Sequence, residues 1–184
     1  MNKLLYTLII LFFSVQASFS QSHIIRAHID TLLTFLPSVS DTLIKDKPMF
    51  ETPNVHPQYT FELTQLYYDK SVPIRVIHFK MQDYSINPDY YREQAVESYN
   101  LDNSKEVNRS EKLSGYDTHI YLSKNKTSVT MFLGDFMIVD VKLEGTTWTI
   151  VQLKDFVEKF PITKIKNRML TIGKLYKKAN KSND

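Results

Sequence analysis

Tyr116-Asp117-Thr118-His119-Ile120-Tyr121-Leu122, Ser128-Val129-Thr130-Met131-Phe132-Leu133 and Phe136-Met137-Ile138-Val139-Asp140-Val141-Lys142-Leu143 decide the fold. Each run is rich in β-branched and aromatic residues, and each is bounded by turn chemistry, Ser123-Lys124-Asn125-Lys126 after the first and Gly134-Asp135 after the second. That pattern predicts a three-stranded antiparallel meander. Ile120, Val129, Met131, Phe136, Ile138 and Val141 are its expected buried side.

Upstream, Tyr59, Phe61, Leu63 and Tyr67 alternate with Thr60, Glu62 and Thr64, and Ile74, Val76, Ile77 and Phe79 continue the β signal beyond Asp69-Lys70-Ser71. The two runs predict a hairpin. Asn87-Pro88 then offers an N-cap followed by proline at the first helical position, with Asp89 and Glu93 near the positive end of the dipole, so a helix is expected from Pro88 to about Tyr99. Residues 101–114 are polar and read as a solvated loop, and Ser38–Pro57 reads as a long irregular connection. A first helix is expected over His23–Leu36, where Ile25, Ile29, Leu32, Leu33 and Leu36 share one side and Pro37 stops the run. Downstream, a short strand near Trp148 is followed by a helix burying Leu153, Phe156, Val157 and Phe160, which Pro161 interrupts. The expected fold is α+β, an antiparallel sheet of about five strands with helices packed on one or both faces.

The composition is that of an ordinary globular chain, 42% hydrophobic and 23% charged over 184 residues. The absence of cysteine excludes a disulfide framework, a thiolate metal site and a cysteine nucleophile. The four glycines, at 115, 134, 145 and 173, are too dispersed to cradle a phosphate. Lys3, the apolar run Leu4–Val15 and the triplet Ser18-Phe19-Ser20 read as a signal peptide over residues 1–20, leaving one domain over 21–184. An apolar run of that length falls short of the roughly 20 residues a spanning helix needs. The chain is therefore expected to be exported, periplasmic or secreted, with no nucleic-acid partner. A cysteine-free exported chain points to a bacterial envelope, and Gln21 directly after the triplet resembles the start of exported Bacteroidetes proteins.

Charge is distributed unevenly. Residues 161–184 hold seven basic side chains against Asp184 alone, whereas 21–160 hold 15 basic against 19 acidic. Ile162, Ile165, Met169, Ile172 and Tyr176 recur at helical spacing in this basic tail. The stripe is expected to dock on the domain itself; the other destination is an anionic membrane surface.

Chemistry is sparsely signalled. His23 and His28 lie five apart and cannot share a helix face. Asp117, His119 and Tyr121 alternate along one strand and project from the same side, and His78, with Lys80 and Gln82 on its own face, is the one conceivable imidazole partner. These four are the candidate ligand or surface residues. A metal site would need further ligands, so the expected role is the wet face of a half-buried sheet, without metal, cofactor or catalytic cluster. No Gly-x-Ser-x-Gly elbow is present. The 11 tyrosines, among them Tyr67, Tyr68, Tyr84, Tyr90, Tyr91, Tyr99, Tyr116 and Tyr121, either pack the sheet or line a groove suited to a glycan or an extended peptide.

Leu113-Ser114-Gly115-Tyr116, then Ser128–Val141, then an amphipathic helix resembles exported bacterial proteins of uncharacterised families with an arrangement like the Mog1/PsbP/DcrB class. The resemblance covers roughly residues 59–165 and carries no catalytic motif. It implies a binding or assembly factor of the cell envelope, acting on an envelope protein or a glycan. The other class left open is an envelope hydrolase whose carboxylates meet only in the fold.

Overall fold

Strict alternation of apolar and polar side chains buries one face of a strand and leaves the other to solvent. In the computed structural model this alternation builds the centre of an antiparallel sheet, with residues 23–36, 43–52, 60–72, 76–96, 101–102, 106–124, 126–144 and 149–181 described. The strands are β1 (Leu43–Lys45), β2 (Met49–Glu51), β3 (Phe61–Asp69), β4 (Val76–Asp83), β5 (Leu101–Asp102), β6 (Glu106–Leu113), β7 (Tyr116–Ser123), β8 (Lys126–Gly134) and β9 (Met137–Glu144). The helices are α1 (residues 23–34), α2 (Pro88–Val96), α3 (Ile150–Glu158) and α4 (Ile162–Lys181). Sheet order is β1-β3-β4-β9-β8-β7-β6-β5, and β2 shares the outer edge of β3 with β1. The expected hairpin is β3–β4 and the expected meander is β7–β8–β9, whose last strand returns to lie beside β4.

The described residues form nine strands, more than the five or so expected. Residues 101–114, read as a loop, carry β5 and β6: β5 is two residues long, and β6 interrupts its apolar positions with Arg109 and Glu111, so no alternation betrays them. Ser114 and Gly115, with φ of +50° and +83°, make the two-residue turn that pairs β6 with β7. The connection read as irregular contains β1 and β2, three residues each and too short to show a period. Buried Gln65 ties them down, donating from Nε2 to the Asp46 carbonyl at 2.6 Å. The leader 1–20, the region of Trp148 and the end of the expected Pro88–Tyr99 helix fall outside the described residues.

One face of the sheet is the core. Phe61, Leu63 and Tyr67 of β3, Ile77, Phe79 and Met81 of β4, Met137, Val139, Val141 and Leu143 of β9, Val129, Met131 and Leu133 of β8 and Ile120 of β7 are buried there. Over them lie Ile29, Leu32 and Leu36 after and within α1, Leu153 and Val157 of α3, and Ile162, Ile165, Met169 and Ile172 of α4. The helical tail thus docks on its own sheet. Phe160, between α3 and α4, stacks on Phe79 at 4.4 Å between centroids, while Phe156 is only half-buried, edge-on to Tyr67. Thr149 and Gln152 close a reciprocal capping box at the start of α3.

Gly173 explains itself at this interface. A glycine inside a helix costs about 1 kcal/mol relative to alanine, yet a Cβ here would run into the carboxylate of Asp83 at the end of β4. Asp83 is buried, accepts from the Ser85 backbone N–H at 2.8 Å, and has its pKa pushed up by burial against the pull of that bond.

Two residues expected in this core lie elsewhere. Ile138 faces the opposite side, and Phe136 sits in the β8–β9 turn with φ of +63°. The Gly134 bulge and the turn shift the register, so counting by twos from Phe136 assigns the wrong face.

Candidate functional site

The second face of the sheet is polar, and its composition follows from register. One row across the strands reads Thr64, Lys80, Asp140, Thr130, His119 and Ser110; the next reads Leu66, His78, Lys142, Ser128, Tyr121 and Asn108. Side chains directly opposite one another stand about 5 Å apart at Cβ, so cations, carboxylates and hydroxyls interleave over six strands. At one end of the face α2 provides cover. Its Tyr90, Tyr91 and Ala95 pack on Tyr84, Phe132 and Ile138, and Tyr91 meets Phe132 and Phe136 edge-on. The helix begins where expected, with Asn87 Oδ1 accepting from the Tyr90 N–H at 3.3 Å. Arg92 covers the Phe136 ring at 5.9 Å, and the Phe136 carbonyl accepts from the Tyr84 N–H at 2.8 Å. These contacts hold a bulky residue in the left-handed region it ordinarily avoids.

Among the described residues, shallow concavities flank α2. One of about 440 Å³ is lined by Glu62, Thr64, His78, Lys80, Gln82 and Tyr90 among others; a second, of about 220 Å³, by Gln82, Gln94, Lys126, Ser128, Asp140 and Lys142. Both touch Gln82 and Tyr84, so they lie side by side on the open face, and between them this grooved surface spans the strands from β3 to β8. The third, of about 500 Å³, includes Tyr91, Ser110, Lys112, Asp117, His119 and Phe132.

The charges in the groove are already organised. Buried Glu62 accepts from Lys80 Nζ at 3.0 Å, Gln82 Nε2 at 2.6 Å and the Thr64 hydroxyl at 2.9 Å. Asp140 accepts from the Thr130 hydroxyl at 2.7 Å; burial raises its pKa, opposed by that bond and by Lys80, Lys126 and Lys142. Lys142 pairs with Glu144, whose pKa is lowered by that hydrogen bond.

The sequence-derived candidates all lie on this face but do not form one constellation. Asp117, His119 and Tyr121 project from the same side of β7, as their alternation requires. His119 packs its ring on Phe132 at 4.6 Å, and burial lowers its pKa against the attraction of Asp117. His78 belongs to β4, three strand spacings or about 14 Å across the sheet. It lies 3.6 Å from Glu144, with its pKa lowered by burial. Lys126 Nζ stands 5.3 Å from the Tyr121 ring centre, and Tyr121 donates to Glu106 at 3.3 Å. Among the described residues no three His, Asp or Glu side chains are gathered as a metal site. The centre of the face, Glu62, Lys80, Asp140 and Lys142, was not singled out from the sequence. The available signal was polar residues at every second position of the otherwise apolar β4 and β9.

The tyrosines divide between the two readings open to them. Tyr67 is core and Tyr84 is buried under α2, whereas Tyr90 and Tyr91 are half-buried, the first lining one of the adjoining concavities and the second the third concavity, and Tyr121 is half-buried on β7. Comparison with protein-family models, with curated proteins and with solved structures returns no match.

Proposed function

We propose that this chain is an exported, non-enzymatic binding or assembly factor of the bacterial cell envelope, and that it holds an elongated polar ligand, a glycan or a protein segment, along the open face of its sheet. The observation that carries this reading is the pair of adjoining concavities between β3 and β8, which are shallow, lined mostly by polar side chains and edged by half-buried Tyr90. Hydroxyls, amides and pre-paired charges offer both donors and acceptors to a hydroxyl-rich ligand, and Tyr90 offers a flat rigid ring. The leader pattern at residues 1–20 supports export. The resemblance to Mog1/PsbP/DcrB-like proteins supports a binding role by analogy of arrangement alone.

A hydrolase would rest on Asp140, whose raised pKa suits a general acid. It would also need a second carboxylate within reach, and Asp140 is the one carboxylate among the described residues lining its concavity. Glu62, two strand spacings or about 10 Å away, is occupied by three donors.

The test is co-purification from envelope extract, followed by protein mass spectrometry and sugar analysis, comparing the native chain with Ser128→Tyr, which fills the groove. Capture of a protein or glycan that falls at least tenfold in the variant supports the reading. Capture indifferent to the substitution, or turnover of envelope glycan or peptide abolished by Asp140→Asn, overturns it.

A further inference from the structure

The cations from Lys164 to Lys178 of α4 fall into two groups according to their angle around the helix. At 100° per residue, the buried stripe of Ile162, Ile165, Met169 and Ile172 spans one side, and three cations stand along its margins. Each of these has found an acceptor. Lys166 meets Asp135 at 3.1 Å, Arg168 donates to Nδ1 of His28 on α1, and Lys177 donates to the Ser85 carbonyl at 3.4 Å. Lys164, Lys174 and Lys178 lie within an arc of about 80° on the far side of the helix from that stripe. All three are exposed, and none has an ion pair among the described residues. They share the arc with Asn167 and Thr171, and the 20 residues of α4 contain no Asp or Glu. Solvated helix faces ordinarily interleave Glu with Lys at i,i+4 spacing, which stabilises the helix and neutralises the surface. That device is missing here.

We infer that the outer face of α4 docks on an anionic lipid surface. The choice of lipid follows from the chemistry of the arc. Lysine is a hydrated point charge on a flexible stem, without the forked geometry by which arginine reads a shaped carboxylate site. The arc also lacks the aromatic or apolar anchors that carry protein–protein binding energy. From Lys164 to Lys178 the charges extend about 21 Å along the helix, which suits a broad, diffuse negative surface. The rest of the molecule agrees in sign: residues 21–160 carry four more acidic than basic side chains, so the same surface repels the other sides. Docking through α4 turns the groove, on the opposite face of the sheet, away from the bilayer. The inference stands independently of what the groove binds.

The test uses the chain as recovered from expressing cells, so that every variant keeps the same N-terminus. Sedimentation is measured with phosphatidylcholine vesicles and with vesicles in which a third of the lipid is phosphatidylglycerol; the excess on the anionic vesicles is the readout. Near an anionic surface each lysine strengthens binding about fivefold, so the triple variant Lys164→Gln, Lys174→Gln and Lys178→Gln should lose about a hundredfold of that excess. These side chains are exposed, so its circular dichroism and melting should match the native chain. A control with Lys47→Gln, Lys70→Gln and Lys124→Gln loses the same net charge outside α4 and should keep most of the excess. Raising NaCl from about 0.1 to about 1 M cuts the Debye length from about 10 to about 3 Å and should release the native chain. No excess on anionic vesicles, equal losses in both triple variants, or retention of an acidic protein by α4 without vesicle binding would each overturn the inference.

Discussion

The same strands make both faces of the sheet, yet the two faces obey different rules. On the helix-covered face, β3, β4, β8 and β9 present mainly Phe, Leu, Ile, Val and Met, with Gln65, Tyr67, Asp83 and Thr127 among them, and three helices close over them. One residue away along each strand, the open face presents Glu62 bonded to Lys80 and Gln82, Asp140 bonded to Thr130, and Lys142 paired with Glu144. A surface built only for solubility needs scattered charge. Here the polar groups are held in place by their neighbours, Glu62 by three donors, and that fixes their geometry. The covered face stores stability, whereas the open face carries arrangement.

The largest effect expected of this division comes from truncating the covered face. Phe79→Ala removes the ring stacked on Phe160 and should cost about 3 to 5 kcal/mol in denaturant unfolding. Phe156→Ala should cost less, since that ring is half-buried. A loss below about 1 kcal/mol for Phe79 would mean that the helices do not close this face in solution.

Next comes the seam between the sheet and α4. Gly173→Ala should lower stability by about 1 to 3 kcal/mol through overpacking, despite alanine's better helix propensity. Combined with Asp83→Ala, which makes room for the new methyl group, it should cost clearly less than the sum of the two single changes. Strict additivity would separate residue 173 from Asp83.

The smallest effect is on the open face and is legible in its pH dependence. Burial raises the pKa of Asp140 in the folded chain, so the folded state binds this proton more tightly than the unfolded state does. Its stabilising contribution is then complete below the unfolded carboxylate pKa of about 3.9 and is lost as pH rises through the folded value. Asp140→Asn, which mimics the protonated form and can still accept from Thr130, should be more stable than the native chain at pH 7 and equal to it near pH 3.5. Thermal melting across that range checks this, and a variant less stable at pH 7 would show that the lysines outweigh burial.

The comparison also explains what was legible in the sequence. The meander, the β3–β4 hairpin, the N-terminus of α2 and the docking of α4 all rest on periodicity or caps, which are local signals. Phe136 and Ile138 escaped because a bulge and a left-handed turn broke the count by twos. β6 escaped because polar residues interrupt both of its sides, and β5 because two residues have no period to show. The groove could not be read at all. Asp117, His119, Tyr121 and His78 stand out by residue type and alternation, and they do lie on the open face, but His78 and His119 are kept apart by two intervening strands. The row joining Thr64, Lys80, Asp140 and Thr130 exists only through the register of four strands, with β9 inserted beside β4 by a long return.

The absence of cysteine makes the most direct test of the central claim clean, because one introduced thiol is the only one in the chain. Ser128→Cys places it in the groove, and Asn167→Cys places it on the outside of α4. Each variant is labelled with a maleimide reagent, with and without lipid-free soluble envelope extract, and the labelling rates are compared. If the open face is the ligand surface, the extract slows labelling at residue 128 at least several-fold and leaves residue 167 unchanged. Protection at 167 with none at 128, or equal rates at both positions, would contradict it.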